Sequence, residues 1–261
     1  MLVHFNKYQG AGNDFVLVDN RNAHLALSVS QIKGICDRRF GIGADGLMLL
    51  DNHSSLDFQM KYYNSDGRES TMCGNGGRCI TAFAKKLGIV EEHAHFQAID
   101  AVHESFIDPA SGIVRLKMND VHEVEAGTGY FYLNTGSPHF VTFVQDVKNM
   151  DVFSEGRKIR YNQRFKAEGT NVNFVEHISD AHIFVRTYER GVEDETYSCG
   201  TGVTASAIST ALKSKSGRNS YDISTLGGEL KVSFEKVSDQ EFKNIWLEGP
   251  ATFVFEGNIE I

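Results

Sequence analysis

Apolar and polar residues alternate from the first position: Met1-Leu2-Val3-His4-Phe5-Asn6-Lys7-Tyr8 reads as a half-buried strand. Leu56, Phe58, Met60 and Tyr62 keep the same two-residue period, and that run ends in Asn64-Ser65-Asp66-Gly67, which has turn chemistry. The period then changes. Ile80, Phe83, Ala84 and Leu87 fall at i, i+3, i+4 and i+7, the spacing of a helix face, and Gly88 supplies its stop. A second helix is predicted through Val203, Ala205, Ala207, Ile208, Ala211 and Leu212, small and apolar nearly all round, as in a helix packed inside its domain. Residues 30–39 also read as helix and 47–50 as strand, with further strands over 113–118, 140–145, 172–177, 183–188, 230–234 and 252–255. Short connections favour antiparallel pairing over repeated helical crossovers.

At 261 residues, 41% hydrophobic and 23% charged, the chain can bury a substantial core and has the composition of a globular protein. Its net charge of -8 argues against a nucleic-acid partner, which would want a basic surface. The opening residues lack the charged start and long apolar run of a signal peptide, and no stretch approaches a membrane span, so the expectation is a cytoplasmic protein with no membrane partner. There Cys36, Cys73, Cys79 and Cys199 stay as thiols, to be explained by packing, metal or chemistry.

The most informative feature is a repeat. Cys73-Gly74-Asn75-Gly76 is matched by Cys199-Gly200-Thr201-Gly202 in the other half of the chain, and each copy opens a helix-like segment. Glu69 and Glu195, each four residues before its cysteine, are a weaker echo. A helix N-terminus carries partial positive charge and backbone N–H groups, so it lowers a cysteine's pKa and holds a carboxylate. Glycines let the backbone approach a ligand. Two such loops facing across a cleft suit inversion of a stereocentre, where a proton leaves one face of a carbon as another arrives on the opposite face. Cys36 and Cys79 read instead as buried small apolar residues.

At these residues the sequence resembles the diaminopimelate epimerase family, and the resemblance runs nearly from end to end. It includes Gly10-Ala11-Gly12-Asn13-Asp14-Phe15, Asn64-Ser65-Asp66-Gly67, the Cys73 loop, Gly136-Ser137-Pro138-His139, Asn171-Val172-Asn173-Phe174 and Tyr188-Glu189-Arg190-Gly191 leading to the Cys199 loop. The resemblance implies interconversion of LL- and meso-diaminopimelate, in lysine and cell-wall precursor synthesis, with no pyridoxal phosphate or other cofactor and no metal. Cys73 and Cys199 would be the two bases. Asn13, Asn64, Asn171, Glu189 and Arg190 would hold the distal amino and carboxylate groups, Gly74, Asn75, Gly200 and Thr201 would cradle the anion, and His139 would support the site. It also implies an α/β chain of the α+β type in two pseudo-symmetric domains. Each is a mostly antiparallel sheet or barrel around a central helix, with the active site in the cleft between them. The boundaries expected are 1–120 plus a C-terminal strand over 250–261, and 121–249. The sequence leaves a homodimer open. It departs from some members at Gly46, where they carry a glutamine, at Ser137, where they carry an asparagine, and between Arg190 and Cys199, one residue longer than the commonest spacing.

Other motifs are set aside. Gly41-Ile42-Gly43-Ala44-Asp45-Gly46 fits a dinucleotide fingerprint but follows a helix and precedes a strand, the reverse of the required order. Glu91-Glu92-His93-Ala94-His95 lacks further ligands at metal-site spacing and reads as a polar loop entering a strand. Three other functions remain to be weighed: a proline or hydroxyproline racemase with two similar loops, a zinc or redox protein using the four cysteines, and a noncatalytic amino-acid binding protein.

Overall fold

Each helix of this protein carries the chain between two parallel strands. The structure is a computed structural model that describes all 261 residues. It divides into two compact units, Met1–Leu116 with Gly249–Ile261, and Lys117–Glu248.

In the first unit β1 (Leu2–Gly10) and β2 (Asn13–Asp19) form an antiparallel hairpin. α1 (Val29–Cys36) then crosses to β3 (Gly46–Asp51), parallel to β2. β4 (Phe58–Asn64) runs antiparallel to β3, and α2 (Gly74–Lys86) crosses to β5 (His93–Gln97), parallel to β4. β6 (Val102–Ile107) and β7 (Val114–Lys117) continue antiparallel. The second unit repeats the plan. β8 (Val124–Gly127), β9 (Tyr130–Asn134) and β10 (Pro138–Phe143) are antiparallel, and α3 (Val152–Arg160) crosses to β11 (Asn171–Ser179), parallel to β10. β12 (His182–Glu189) and the short β13 (Asp194–Thr196) lead through α4 (Gly200–Ser214) to β14 (Ser220–Thr225), parallel to β12. β15 (Gly228–Lys236) and β16 (Phe242–Gly249) complete it, and β17 (Thr252–Glu260) returns to the first unit to pair antiparallel with β1.

The preference for antiparallel pairing over repeated crossovers holds only for the larger share of the pairs, because four pairs are parallel. Most pairs are antiparallel, but every helix is a crossover. β3 shows why its residues read as an unbroken apolar run: both faces are covered. Leu47 and Leu49 join Ile32 and Ile35 of α1, while the Met48 thioether lies against Gly76 of α2. α1 also stops three residues earlier than its pattern suggests, because the Asp37 carboxylate accepts the N–H groups of Arg39 and Phe40 at 2.7 and 2.8 Å and turns the chain. Residues 140–145 read as strand, yet β10 ends at Phe143, and a 3-10 turn at Val147–Asn149 follows Asp146 at φ 53.

α2 and α4 are the interior helices. α4 is buried from Gly200 to Ala211 apart from Thr201, which is half-buried, and packs against β9, β10, β11, β12, β14 and β15. Its hydroxyls tolerate burial because Thr204, Ser206, Ser209 and Thr210 each donate to the carbonyl four residues back, at 2.7–2.9 Å. α2 contains three glycines in its first turn, a poor helix composition worth about 1 kcal/mol of propensity each. Packing against β1, β2, β3 and β6 holds it. No helix is long and apolar enough to cross a membrane.

Candidate active site

Both repeat cysteines sit at the N-cap of an interior helix, in extended backbone, with the helix beginning at the next residue. Cys73 (φ -93, ψ 133) precedes α2 and its carbonyl accepts from Gly77 N–H at 2.7 Å. Cys199 (φ -122, ψ 112) precedes α4 and its carbonyl accepts from Val203 N–H at 2.9 Å. The glycines are there for space. At Gly76 a Cβ would strike the Met48 thioether, and at Gly202 it would strike the side-chain oxygen of Asn173.

In the first unit the amides are chained. Arg78, fully buried on α2, donates to Asn75 Oδ1 at 2.9 Å and to the carbonyls of Gly74 (3.3 Å) and Pro250 (3.4 Å). Asn75 Nδ2 donates to Asn13 Oδ1, and Asn13 Nδ2 donates to Asp45 Oδ2 at 3.0 Å. Arg38 binds both Asp45 and Asp14 at 2.7 Å, and buried Lys7 meets Asp14 at 2.8 Å. Burial acts to raise the Asp14 pKa, but the hydrogen bonds from Arg38 and Lys7 overcome it and hold the carboxyl down to about 2. Asn64 ends β4 opposite Gly46, its N–H donating to the Arg68 carbonyl. Gly46 itself cannot be a glutamine in this backbone: a Cβ would lie 2.6 Å from the Tyr63 carbonyl oxygen and against the Tyr62 ring.

In the second unit His139 is the hub. Fully buried, it lies 2.9 Å by Nε2 from Thr201 Oγ1 and 3.0 Å by Nδ1 from Asn173 Nδ2. Burial pushes its pKa down to about 3, and the charge of Arg190 acts the same way, so the ring is neutral near pH 7. Thr201 Oγ1 is 3.5 Å from Cys199 Sγ, and the Thr201 carbonyl accepts from Thr135 Oγ1 at 2.8 Å. Asn171 Oδ1 accepts from Arg190 N–H at 2.8 Å, and its Nδ2 donates to Ser137 Oγ at 2.9 Å. Ser137, which stands where some family members carry asparagine, thus anchors Asn171 and also lies 3.5 Å from Arg190 Nη2. Glu189 takes a different partner, accepting from Thr196 Oγ1 at 3.0 Å. Of the weaker echo, Glu195 binds Arg186 at 2.6 Å while Glu69 bridges by backbone to Tyr63.

The structure therefore groups Cys73, Gly74, Asn75 and Asn13 in one unit, and Cys199, Gly200, Thr201, His139, Asn171 and Arg190 in the other. Sequence reasoning missed three members: Arg78, Asn173 and Thr135. Asn173 was recoverable, since it follows Asn171 by two and so shares its face of β11. Cys36 and Cys79 are buried thiols, pushed by burial to about 11 and about 12. No group of three His, Cys, Asp or Glu side chains is placed to hold a metal ion.

The solved structures it resembles share its fold. A phenazine biosynthesis protein of the PhzF family from Bacillus anthracis superposes with a TM-score of 0.74 at 15% identity, covering 100% of both chains. A hydroxyproline epimerase from Agrobacterium vitis gives 0.72 at 14% identity, covering 99% of this chain and 92% of that one. Sequence is more specific. A curated diaminopimelate epimerase from Flavobacterium psychrophilum is 52% identical over 97% of this chain and 98% of its own length, and one from Chlorobaculum tepidum is 41% identical over 97% and 99%. The family model for diaminopimelate epimerase matches residues 5–126 and 131–254. With that model spanning nearly all of both units, this chain belongs to the diaminopimelate epimerase family.

Proposed function

We propose that the protein interconverts LL- and meso-diaminopimelate, with Cys73 and Cys199 moving the α-proton and no cofactor taking part. The observation that carries this is the duplicated placement of a cysteine at the N-cap of a buried helix, in a member of this family. The thiolate of one cysteine takes the α-proton, and the C–H electron pair stays on the carbon, delocalised into the carboxylate. The thiol of the other gives its proton to the opposite face. The first ends as thiol and the second as thiolate, which is the starting state for the reverse reaction. Backbone N–H groups at the starts of α2 and α4, from Gly74, Asn75, Gly200 and Thr201, bind the α-carboxylate as it gains charge. Asn13, Asn64, Asn171, Glu189 and Arg190 hold the distal amino and carboxylate groups, and neutral His139 orders the Cys199 loop.

Incubation with LL-diaminopimelate in deuterated water tests this: the product is meso-diaminopimelate labelled at the inverted carbon. Unlabelled, unchanged substrate overturns it. The substrate is a biosynthetic intermediate, so the same reading makes the enzyme cytoplasmic, with no membrane partner. The proposal includes a homodimer, supported by β17, an outer strand whose Phe253, Val254 and Phe255 are 41–52% exposed. Sedimentation at the 29.0 kDa monomer mass overturns that part.

A further inference from the structure

The hydrogen bonds behind Cys199 have a direction. Asn173 Nδ2 donates to the Phe140 carbonyl at 3.1 Å, while Asn173 Oδ1 accepts from Thr187 Oγ1 at 3.0 Å, so the amide orientation is fixed from both ends. The second Nδ2 hydrogen faces His139 Nδ1 at 3.0 Å, which makes that ring nitrogen an acceptor. A neutral imidazole whose Nδ1 accepts carries its proton on Nε2. Two groups lie near Nε2. Asn171 Nδ2, at 3.5 Å, is itself a donor, committed to Ser137 and the Pro138 carbonyl. The Nε2 proton therefore goes to Thr201 Oγ1 at 2.9 Å. With one lone pair engaged, the hydroxyl keeps its own proton for Cys199 Sγ, 3.5 Å away.

We propose that Asn173 is a positioning residue for the reaction: by locking His139 as the Nε2–H tautomer it aims the Thr201 hydroxyl proton at Cys199 Sγ and stabilises the thiolate. Gly202 belongs to the same device, because a Cβ there would occupy the space of Asn173 Oδ1. The chain contains no charged member. Arg190 is the charged group acting on His139, and it opposes protonation of the ring, so the tautomer persists through the working pH range. The inference rests on the reading of Cys199 as an acid–base group.

The test reads the chain without turnover, in the whole protein and without substrate. Nitrogen-15 NMR of the His139 ring should show a bare Nδ1 and a protonated Nε2 from pH 5 to 9, and an Nδ1–H tautomer or an imidazolium overturns the proposal. The pH dependence of iodoacetamide labelling, followed by mass on the Cys199 peptide, gives the thiol's ionisation. Thr201→Val should slow labelling at pH 7 by roughly tenfold, the equivalent of one pKa unit, Asn173→Ala by a smaller factor, and Thr201→Ser should restore it. Equal labelling in Thr201→Val and Thr201→Ser overturns the proposal. A failed deuterium experiment with these readouts intact would instead reject the proposed reaction.

Discussion

Behind Cys73 stands a buried guanidinium; behind Cys199 stands a neutral imidazole. The two loops share a cysteine, a glycine pair and a helix start, yet the first is braced by Arg78, Asn75, Asn13, Asp45 and Arg38, an ionic chain at both ends. The second is braced by Thr187, Asn173, His139 and Thr201, in which every member is uncharged near pH 7. A helix N-terminus alone supplies similar fields to both sulfurs. The surroundings then divide the labour: Arg78 acts on Cys73 through its charge, although burial lowers the guanidinium's pKa, whereas Thr201 offers Cys199 a directed hydrogen bond. One brace is a strong commitment of buried charge, the other a question of proton placement.

The largest expected effect treats the loops alike. Cys73→Ala and Cys199→Ala should each lower kcat/KM by roughly 10²–10⁴, the range for losing a general acid or base, with circular dichroism and ligand binding preserved. Near-normal turnover in either would leave only one loop in the chemistry. The next effect separates them. Arg78→Met removes a donor from Asn75 Oδ1, from the buried Gly74 carbonyl and from the half-buried Pro250 carbonyl, at a cost of about 3 kcal/mol by the penalty for unsatisfied buried groups. Asn173 also makes three bonds, but they join neutral groups and are weaker than those of a guanidinium, so Asn173→Ala should cost about 1–2 kcal/mol. Urea unfolding of the two variants ranks them, and equal midpoints would mean that the buried charge is not the stronger brace.

The braces also differ in acid. His139 has a folded pKa near 3 against an ordinary value of 6.5, so between those values the unfolded chain binds a proton that the folded one refuses. Stability from this group is complete above pH 6.5 and falls as the pH drops toward 3, by about 2 kcal/mol from pH 7 to pH 5 at 1.36 kcal/mol per unit. Asp14 in the first unit works lower: its carboxyl, held at about 2 against 3.8, contributes fully above pH 3.8 and loses that contribution as the pH falls from 3.8 toward 2. Denaturation of wild type and His139→Gln from pH 7 to 4 checks the contrast. The variant should lose most of the slope between pH 6.5 and 4, while Asp14→Asn should keep it.

How much of this the sequence discloses depends on the period involved. The helices after both cysteines are legible because their apolar positions recur at 3.6 residues and their glycines mark the entry, and β3 is legible as an unbroken apolar run. α3 is not: its core stripe is only Val152, Gly156 and the partly buried Ile159, narrowed by a glycine and set among Arg157, Lys158 and Arg160. α1 is legible as a helix before β3, but with α3 undetected the crossovers do not show as a repeated connection. Arg78 is invisible in another way. A charged residue inside a helix reads as a solvated face, and only the fold shows three oxygens converging on it. Asn173 alternates in register with Asn171 on β11, but a polar residue on a strand is ordinarily taken for the outer face, and here that face is turned inward.

The smallest effect is the sharpest test of the comparison, because the same substitution is made at the same position of each loop. Gly76 and Gly202 are both third after their cysteine, both buried in the first helical turn, and both in ordinary helical backbone, so alanine brings no backbone strain and even gains about 1 kcal/mol of helix propensity. What differs is the obstacle. At Gly76 the new methyl meets the end of the Met48 side chain, a flexible thioether that can swing aside. At Gly202 it meets Asn173 Oδ1, whose amide is held by Thr187, Phe140 and His139 and cannot move without releasing the imidazole. Gly202→Ala should therefore lower kcat by about fivefold, in line with Asn173→Ala and short of the one pKa unit at Cys199 expected of Thr201→Val, with KM changed less. Gly76→Ala should stay within about threefold of wild type on both constants. Steady-state kinetics on the pair decides the matter: equal losses would mean that the neutral chain behind Cys199 is as forgiving as a methionine, and the directional role assigned to it would have to be given up.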